Sequence, residues 1–153
     1  MAVLQKFVRK VKSLLGGSAG GVIQKTPRII PASVHGIRPE LVAWQAIRTC
    51  EALQRRGFKA YVVGGAVRDM LLGVKPKDFD VATDATPEEV KACQKRAIII
   101  GRRVRLVHVI FGREVIECAT FRSLDTEGVR KDAAGRVISD NIFGEMWEDA
   151  ARR

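Results

Sequence analysis

The chain has 153 residues, 46% of them hydrophobic and 29% charged, which suits one packed domain and excludes a wholly disordered polymer. No apolar run approaches the roughly 20 residues that a membrane span needs. The three cysteines, Cys50, Cys93 and Cys118, lie far apart and form no CxxC pair, which argues against a disulfide scaffold or zinc ribbon and for a reducing compartment. The net charge of +10 is uneven: residues 1–60 hold 11 Lys/Arg against 2 Asp/Glu, and residues 61–153 hold 16 against 15. That excess points to an anionic partner, nucleic acid or a membrane surface; a solvated basic tail is the plainer alternative.

In chain order, Leu4, Phe7, Val8, Val11, Leu14 and Leu15 recur at helical spacing among Lys6, Arg9, Lys10 and Lys12. This predicts a basic amphipathic helix over residues 1–15, with the character of an anionic-membrane or RNA contact. Charges interrupt its apolar side, so it makes a poor secretory signal, although composition leaves a mitochondrial presequence open. Gly16–Gly21 is a hinge, not a P-loop, since no Lys-Ser/Thr follows. Residues 22–37 read as an irregular connector, giving an arm at 1–37 and a folded domain at 38–153. Pro39 opens a predicted helix to about Arg56 with Val42, Ile47, Cys50 and Leu53 as its apolar stripe.

Ala60–Val63 reads as a buried strand running into Gly64-Gly65 and a short helix, Ala66–Leu72. Phe79–Ala82 is a second strand. Thr86-Pro87-Glu88-Glu89 carries a capping box and starts a helix to about Lys95. Ile98–Ile100, Val104–Phe111 and Val115–Phe121 read as strands, the last two joined by a Gly112-Arg113 hairpin turn. Residues 123–140 are polar and suggest a loop, and residues 145–153 return to helix. The expected fold is a small mixed α/β sheet with helices on one side.

Two features carry chemistry. At Val-Gly64-Gly65-Ala-Val-Arg68-Asp69, two glycines allow close approach to the backbone, and the following helix directs free N–H groups there. A phosphate suits such a turn, although the third glycine of a dinucleotide fingerprint is missing and a simple tight turn is equally consistent. The second feature is Asp78-Phe79-Asp80. On a strand these carboxylates face the same way, roughly 6–7 Å apart, and repel by about 2.5 kcal/mol at an effective dielectric of about 20. A bridging divalent cation, magnesium by its taste for oxygen, would offset that repulsion. Exposed acids paired with Lys75 and Lys77 are the alternative. A phosphate turn followed by two metal-type carboxylates is the layout of two-metal nucleotidyl transfer. Glu117, interrupting an otherwise apolar strand, is the candidate third carboxylate, with a solvated edge residue as its alternative. Arg102, Arg103 and Arg105 are either RNA or triphosphate contacts or plain surface charge. His35 and His108 lack ligand-spaced partners and read as structural, and Trp44 and Trp147 as packing anchors.

The stretch YVVGGAVRDMLLGVKPKDFDVATDATPEEV, residues 61–90, closely resembles the head domain of the bacterial poly(A) polymerase and tRNA nucleotidyltransferase (CCA-adding) family. IIIGRRVRLVHVIFG, IECATFR and DNIFG…EDAARR look like its poly(A) polymerase branch. The resemblance runs from about Pro39 to Arg153. It implies that Asp78 and Asp80 hold magnesium, that Gly64, Gly65 and Arg68 contact the triphosphate of ATP, and that Asp69 orients Arg68. Arg153 would match the second arginine of the family's Arg-Arg-Asp motif, a nucleotide contact. The chain stops just before the Asp-Phe-Thr continuation of that motif, so a truncated head is expected. The implied reaction is template-independent addition of AMP from ATP to an RNA 3′ end with release of pyrophosphate, in the cytoplasm or at the inner face of the membrane. The alternatives are CCA addition from CTP and ATP, a head that only binds nucleotide or RNA, and a basic membrane adaptor driven by residues 1–15.

Overall fold

Short β-branched runs alternating with short amphipathic helices bury one face of a sheet beneath those helices. The computed structural model describes residues 28–125, 130–135, 137–139 and 142–153. The expected helix at 1–15 and hinge at 16–21 lie outside the described residues. The chain runs through α1 (Ala32–His35), a 3-10 turn (Pro39–Leu41), α2 (Trp44–Gln54), β1 (Ala60–Val63), α3 (Gly65–Leu71), β2 (Asp80–Thr83) and α4 (Pro87–Cys93). It continues through β3 (Ala97–Ile100), β4 (Leu106–Phe111), β5 (Glu114–Thr120), β6 (Arg130–Lys131), β7 (Val137–Ser139) and α5 (Met146–Arg152).

Five strands form one mixed sheet in the order β1-β2-β5-β4-β3. β2 and β5 are parallel, and the other pairs are antiparallel. Strand alternation sets the two faces. Val81, Cys118, Val107, Val109 and Ile116 are buried and join Ala46 and Leu53 of α2, Val90 of α4 and Met70 of α3 in one core. The opposite face carries Tyr61, Asp80, Glu117 and His108, none of them buried. Register then makes a row across the sheet: Val63 pairs with Asp80, Asp80 with Glu117, Glu117 with His108.

Local chemistry ends the helices where the sequence indicates. Thr86 caps α4, accepting from Glu89 N (3.4 Å) while Thr86 N donates to Glu89 Oε2 (2.8 Å). The same reciprocal box starts α5, where Glu145 N donates to Glu148 Oε2 at 2.7 Å. Two threonines inside the core are satisfied by backbone partners: Thr83 Oγ1 donates to Lys59 O, and Thr120 Oγ1 to Ala85 O at 2.7 Å.

Several expectations are corrected. The helix expected from Pro39 to Arg56 is broken: Val42 and Ala43 are extended, which lets both Leu41 and Val42 turn against the core. The buried stripe of α2 is Ala46, Thr49 and Leu53, whereas Ile47 is 41% exposed. Trp44 is not a buried anchor: it is 59% exposed and meets Phe111 edge-on at 5.3 Å. Within the polar stretch 123–140, β6 and β7 pair as a two-stranded antiparallel ribbon. α1 interrupts the expected connector with one helical turn, where His35 Nδ1 accepts from Ile37 N at 2.9 Å.

Candidate active site

The diglycine turn is shaped by the backbone of β1 and α3. Gly64 sits at φ 75°, ψ −145°, a combination open almost only to glycine. A Cβ at Gly64 would lie 2.9 Å from Oδ2 of Asp80. The missing side chain therefore makes room for this chain's own carboxylate, besides any ligand. Gly65 opens α3, and a Cβ there would lie 3.4 Å from Nη2 of Arg68, whose guanidinium folds back over the turn. Arg68 Nε and Nη2 both donate to Asp69 Oδ1, at 2.9 and 2.8 Å. This fork holds the cation beside the turn, and it shows Asp69 and Arg68 in direct contact.

Asp78 precedes β2, and Asp80 is its first residue, so the pair straddles the strand start with Phe79 buried between them. Gly65, Arg68, Asp69, Lys75, Lys77, Asp78 and Asp80 line one cavity of about 410 Å³. Lys75 and Lys77 share the cavity, yet among the described residues neither forms an ion pair with Asp78 or Asp80. Burial lifts the Asp80 carboxyl above its ordinary range; the charges of Glu117 and Asp78 raise it further, and Arg153 opposes the rise. Asp80 is thus the point where the expected acids and Arg153 meet electrostatically.

Glu117 lies beside Asp80 in register, its side chain 46% exposed and 3.6 Å from Nε2 of His108. It opens onto a second cavity, of about 280 Å³, with Arg105, Arg122 and Arg153. Arg105 is anchored by an ion pair to Glu88, whereas Arg102 and Arg103 are exposed in the bend before it. Sequence reasoning missed the group that organises this side. Asp149, 2% exposed, accepts from Arg153 Nε at 2.6 Å and from Arg122 N at 3.3 Å, and Arg122 Nε is 3.6 Å away. The i,i+4 spacing of Asp149 and Arg153 on a helix was the available sign.

The fit of a divalent cation turns on the carboxylates. Among the described residues, Asp78 and Asp80 have no hydrogen-bond or ion-pair partner for their side chains, and Asp80 feels two further acids. Unpartnered carboxylates that repel one another suit a hard cation. Among the described residues no three His, Cys, Asp or Glu side chains close into a metal cage. Asp78 and Asp80 are the carboxylates of this cavity that could hold such a cation.

The comparisons with known proteins fall on this region. Residues 60–153 match the poly(A) polymerase head domain, and the chain belongs to that family. It is 45% identical over 131 residues to poly(A) polymerase I of Haemophilus influenzae, covering 82% of this chain and 29% of the relative. It is 39% identical over 109 residues to the CCA-adding enzyme of Staphylococcus aureus strain Newman, covering 71% of this chain and 26% of that one. Among solved structures, the Bacillus stearothermophilus CCA-adding enzyme in complex with CTP superposes with a TM-score of 0.56 at 33% identity, over 76% of this chain and 26% of that one. The chain spans under a third of the length of these relatives. Among the described residues, no helix is long and apolar enough to cross a membrane.

Proposed function

We propose that residues 38–153 are the catalytic head of an RNA nucleotidyltransferase that transfers AMP from ATP to RNA 3′ ends. The observation that carries this reading is the sharing of one cavity by Asp78, Asp80, Gly65 and Arg68. The poly(A) polymerase reading is favoured over CCA addition by similarity: the Salmonella typhi poly(A) polymerase I aligns over 96% of the chain at 43% identity, the CCA-adding enzyme over 71% at 39%. The free cysteines support a cytoplasmic setting.

In the proposed reaction the RNA 3′ oxygen bonds to the α-phosphorus, the bond to the bridging oxygen breaks, and pyrophosphate leaves. Asp78 and Asp80 would hold magnesium, which when bound neutralises phosphate charge and eases loss of the hydroxyl proton. Arg68, braced by Asp69 through Nε and Nη2, keeps Nη1 and its charge for phosphate oxygens at the diglycine turn. Gly64, by lacking a side chain, leaves room for the Asp80 carboxylate close to the turn. Arg153, clamped by buried Asp149, supplies a second cation near Asp80 and Glu117. Glu117 holds negative charge next to Asp80, where it strengthens the demand for a cation. Positioning and charge neutralisation would supply most of the rate.

The test replaces the matched part of the Haemophilus influenzae enzyme with this chain and follows extension of labelled RNA with ATP and magnesium. Extension is expected, with a loss of at least about a thousandfold in Asp78→Asn or Asp80→Asn. Extension by either variant at near the parent rate overturns the assignment of the acids. Stepwise CMP addition by the intact chain, fused to the body of a CCA-adding enzyme, would not separate the two readings, because the body differs. Incubating a full-length homologue with single nucleotides separates them: stepwise CMP addition counts against the poly(A) reading.

A further inference from the structure

A third cavity, of about 360 Å³, opens on the helical side of the sheet, between α2, the segment after α4 and the end of β4. Its walls carry Arg48, Arg55, Lys95 and Arg96, and no acid lines it. Ala52, Val109 and Phe111 provide an apolar part. Gln94 Nε2 donates to Thr49 O at 3.2 Å, tying the post-α4 segment to α2 and fixing the two cationic walls relative to each other. Val109 points into the core, on the face opposite that of Asp80 and Glu117, so this cavity is separate from the candidate active site.

We propose that this cavity is a phosphate-binding site for a nucleotide unit, a planar base against the apolar part and phosphate among the four cations. The argument is one of charge and shape. Four cations, two from α2 and its C-cap and two from the segment after α4, gather around one concavity that no acid lines. Of these only Arg55 has an ion-pair partner among the described residues, Glu51 at 3.1 Å. Like charges held together without counter-charge are offset by a bound anion. Arginine suits phosphate by its fork and a base by stacking on its plane. The cavity volume lies in the range of small-ligand sites. The site does not rest on the proposed transferase activity. Its phosphate could be carried by a strand of RNA or by a free nucleotide.

The experiment uses the intact chain in magnesium-free buffer with three probes: labelled oligo(A) RNA, ATP and inorganic tripolyphosphate. R48E/R96E is expected to weaken oligo(A) binding at least about tenfold and to reduce the salt slope by about 1.4, as loss of two contacts to single-stranded phosphates requires. R48K/R96K retains binding to within about threefold, which guards against misfolding as the cause; R28E/R38E, equal in charge change but outside the cavity, also stays within about threefold. Loss for oligo(A) alone assigns the site to a strand, and loss for all three probes assigns it to a free phosphate group. Unchanged binding of every probe, or an equal loss in R28E/R38E, overturns the proposal.

Discussion

Gly64→Ala and Gly65→Ala differ by one position and are expected to act in opposite directions. Alanine at Gly64 must hold φ 75°, ψ −145°, a region whose occupation by a side chain costs of the order of 1–3 kcal/mol. Its Cβ would also stand 2.9 Å from Asp80 Oδ2, so the carboxylate must rotate away from the turn. The rotation is inexpensive for a short side chain, and the backbone term dominates. A net destabilisation of about 2 kcal/mol follows, which for a chain of this size lowers Tm by about 4–8 °C. Gly65 is the first residue of α3, and a Cβ there meets the far end of Arg68 at 3.4 Å, a flexible neighbour that can yield. Alanine is the better helix former, so Gly65→Ala is expected to be neutral or to stabilise by up to about 1 kcal/mol. Urea unfolding followed by tryptophan fluorescence measures both. Equal losses in the two variants, or a Gly64→Ala as stable as the parent, would refute the reasoning from backbone conformation.

Three other outcomes are expected. The Asp80 carboxyl is raised in the fold, chiefly by burial, so the folded state holds its proton to higher pH than the unfolded chain does. Stability therefore falls as pH rises from the ordinary carboxylate range through the raised value; Asp80→Asn removes that loss, gaining less than about 1 kcal/mol at neutral pH without metal and nothing at acid pH. An advantage that persists below the carboxylate range would count against it. Asp149→Ala leaves Arg122 and Arg153 without their buried acceptor and should cost about 2 kcal/mol, less than a fully buried pair because both arginines reach solvent; a change under about 0.5 kcal/mol in chemical denaturation would show that the clamp is idle. Burial pushes the thiol of Cys118 up to about 12 and that of Cys50 up to about 11, so neither should react with a thiol reagent at pH 8 before unfolding, while less buried Cys93 reacts first. Equal rates for all three in mass-spectrometric labelling would contradict this.

The local elements were legible because their signals are local. The Ala60–Val63 strand, the Thr86 capping box and the turn at Gly112-Arg113 each depend on a few adjacent residues, and each forms as read. The order of chemistry was legible for the same reason: a diglycine turn and two acids stand within 17 residues of one another. Long-range consequences were not. The break at Val42–Ala43 follows from where the core pulls Leu41 and Val42, and the exposure of Trp44 from the neighbours it lacks. Asp149 was invisible because its value lies in two arginines, one of them 27 residues away.

The one-dimensional pattern by itself determined which residue types could do chemistry and roughly where the chain turns, since capping, turn and alternation rules act over two to four residues. Only the tertiary structure decided that Asp80 faces Glu117 across a parallel pair, that its carboxylate fills the space beside Gly64, and that Arg153 is clamped nearby. Strand order and register decide such neighbours, and they arise from the packing of the whole core, which no short stretch of sequence contains.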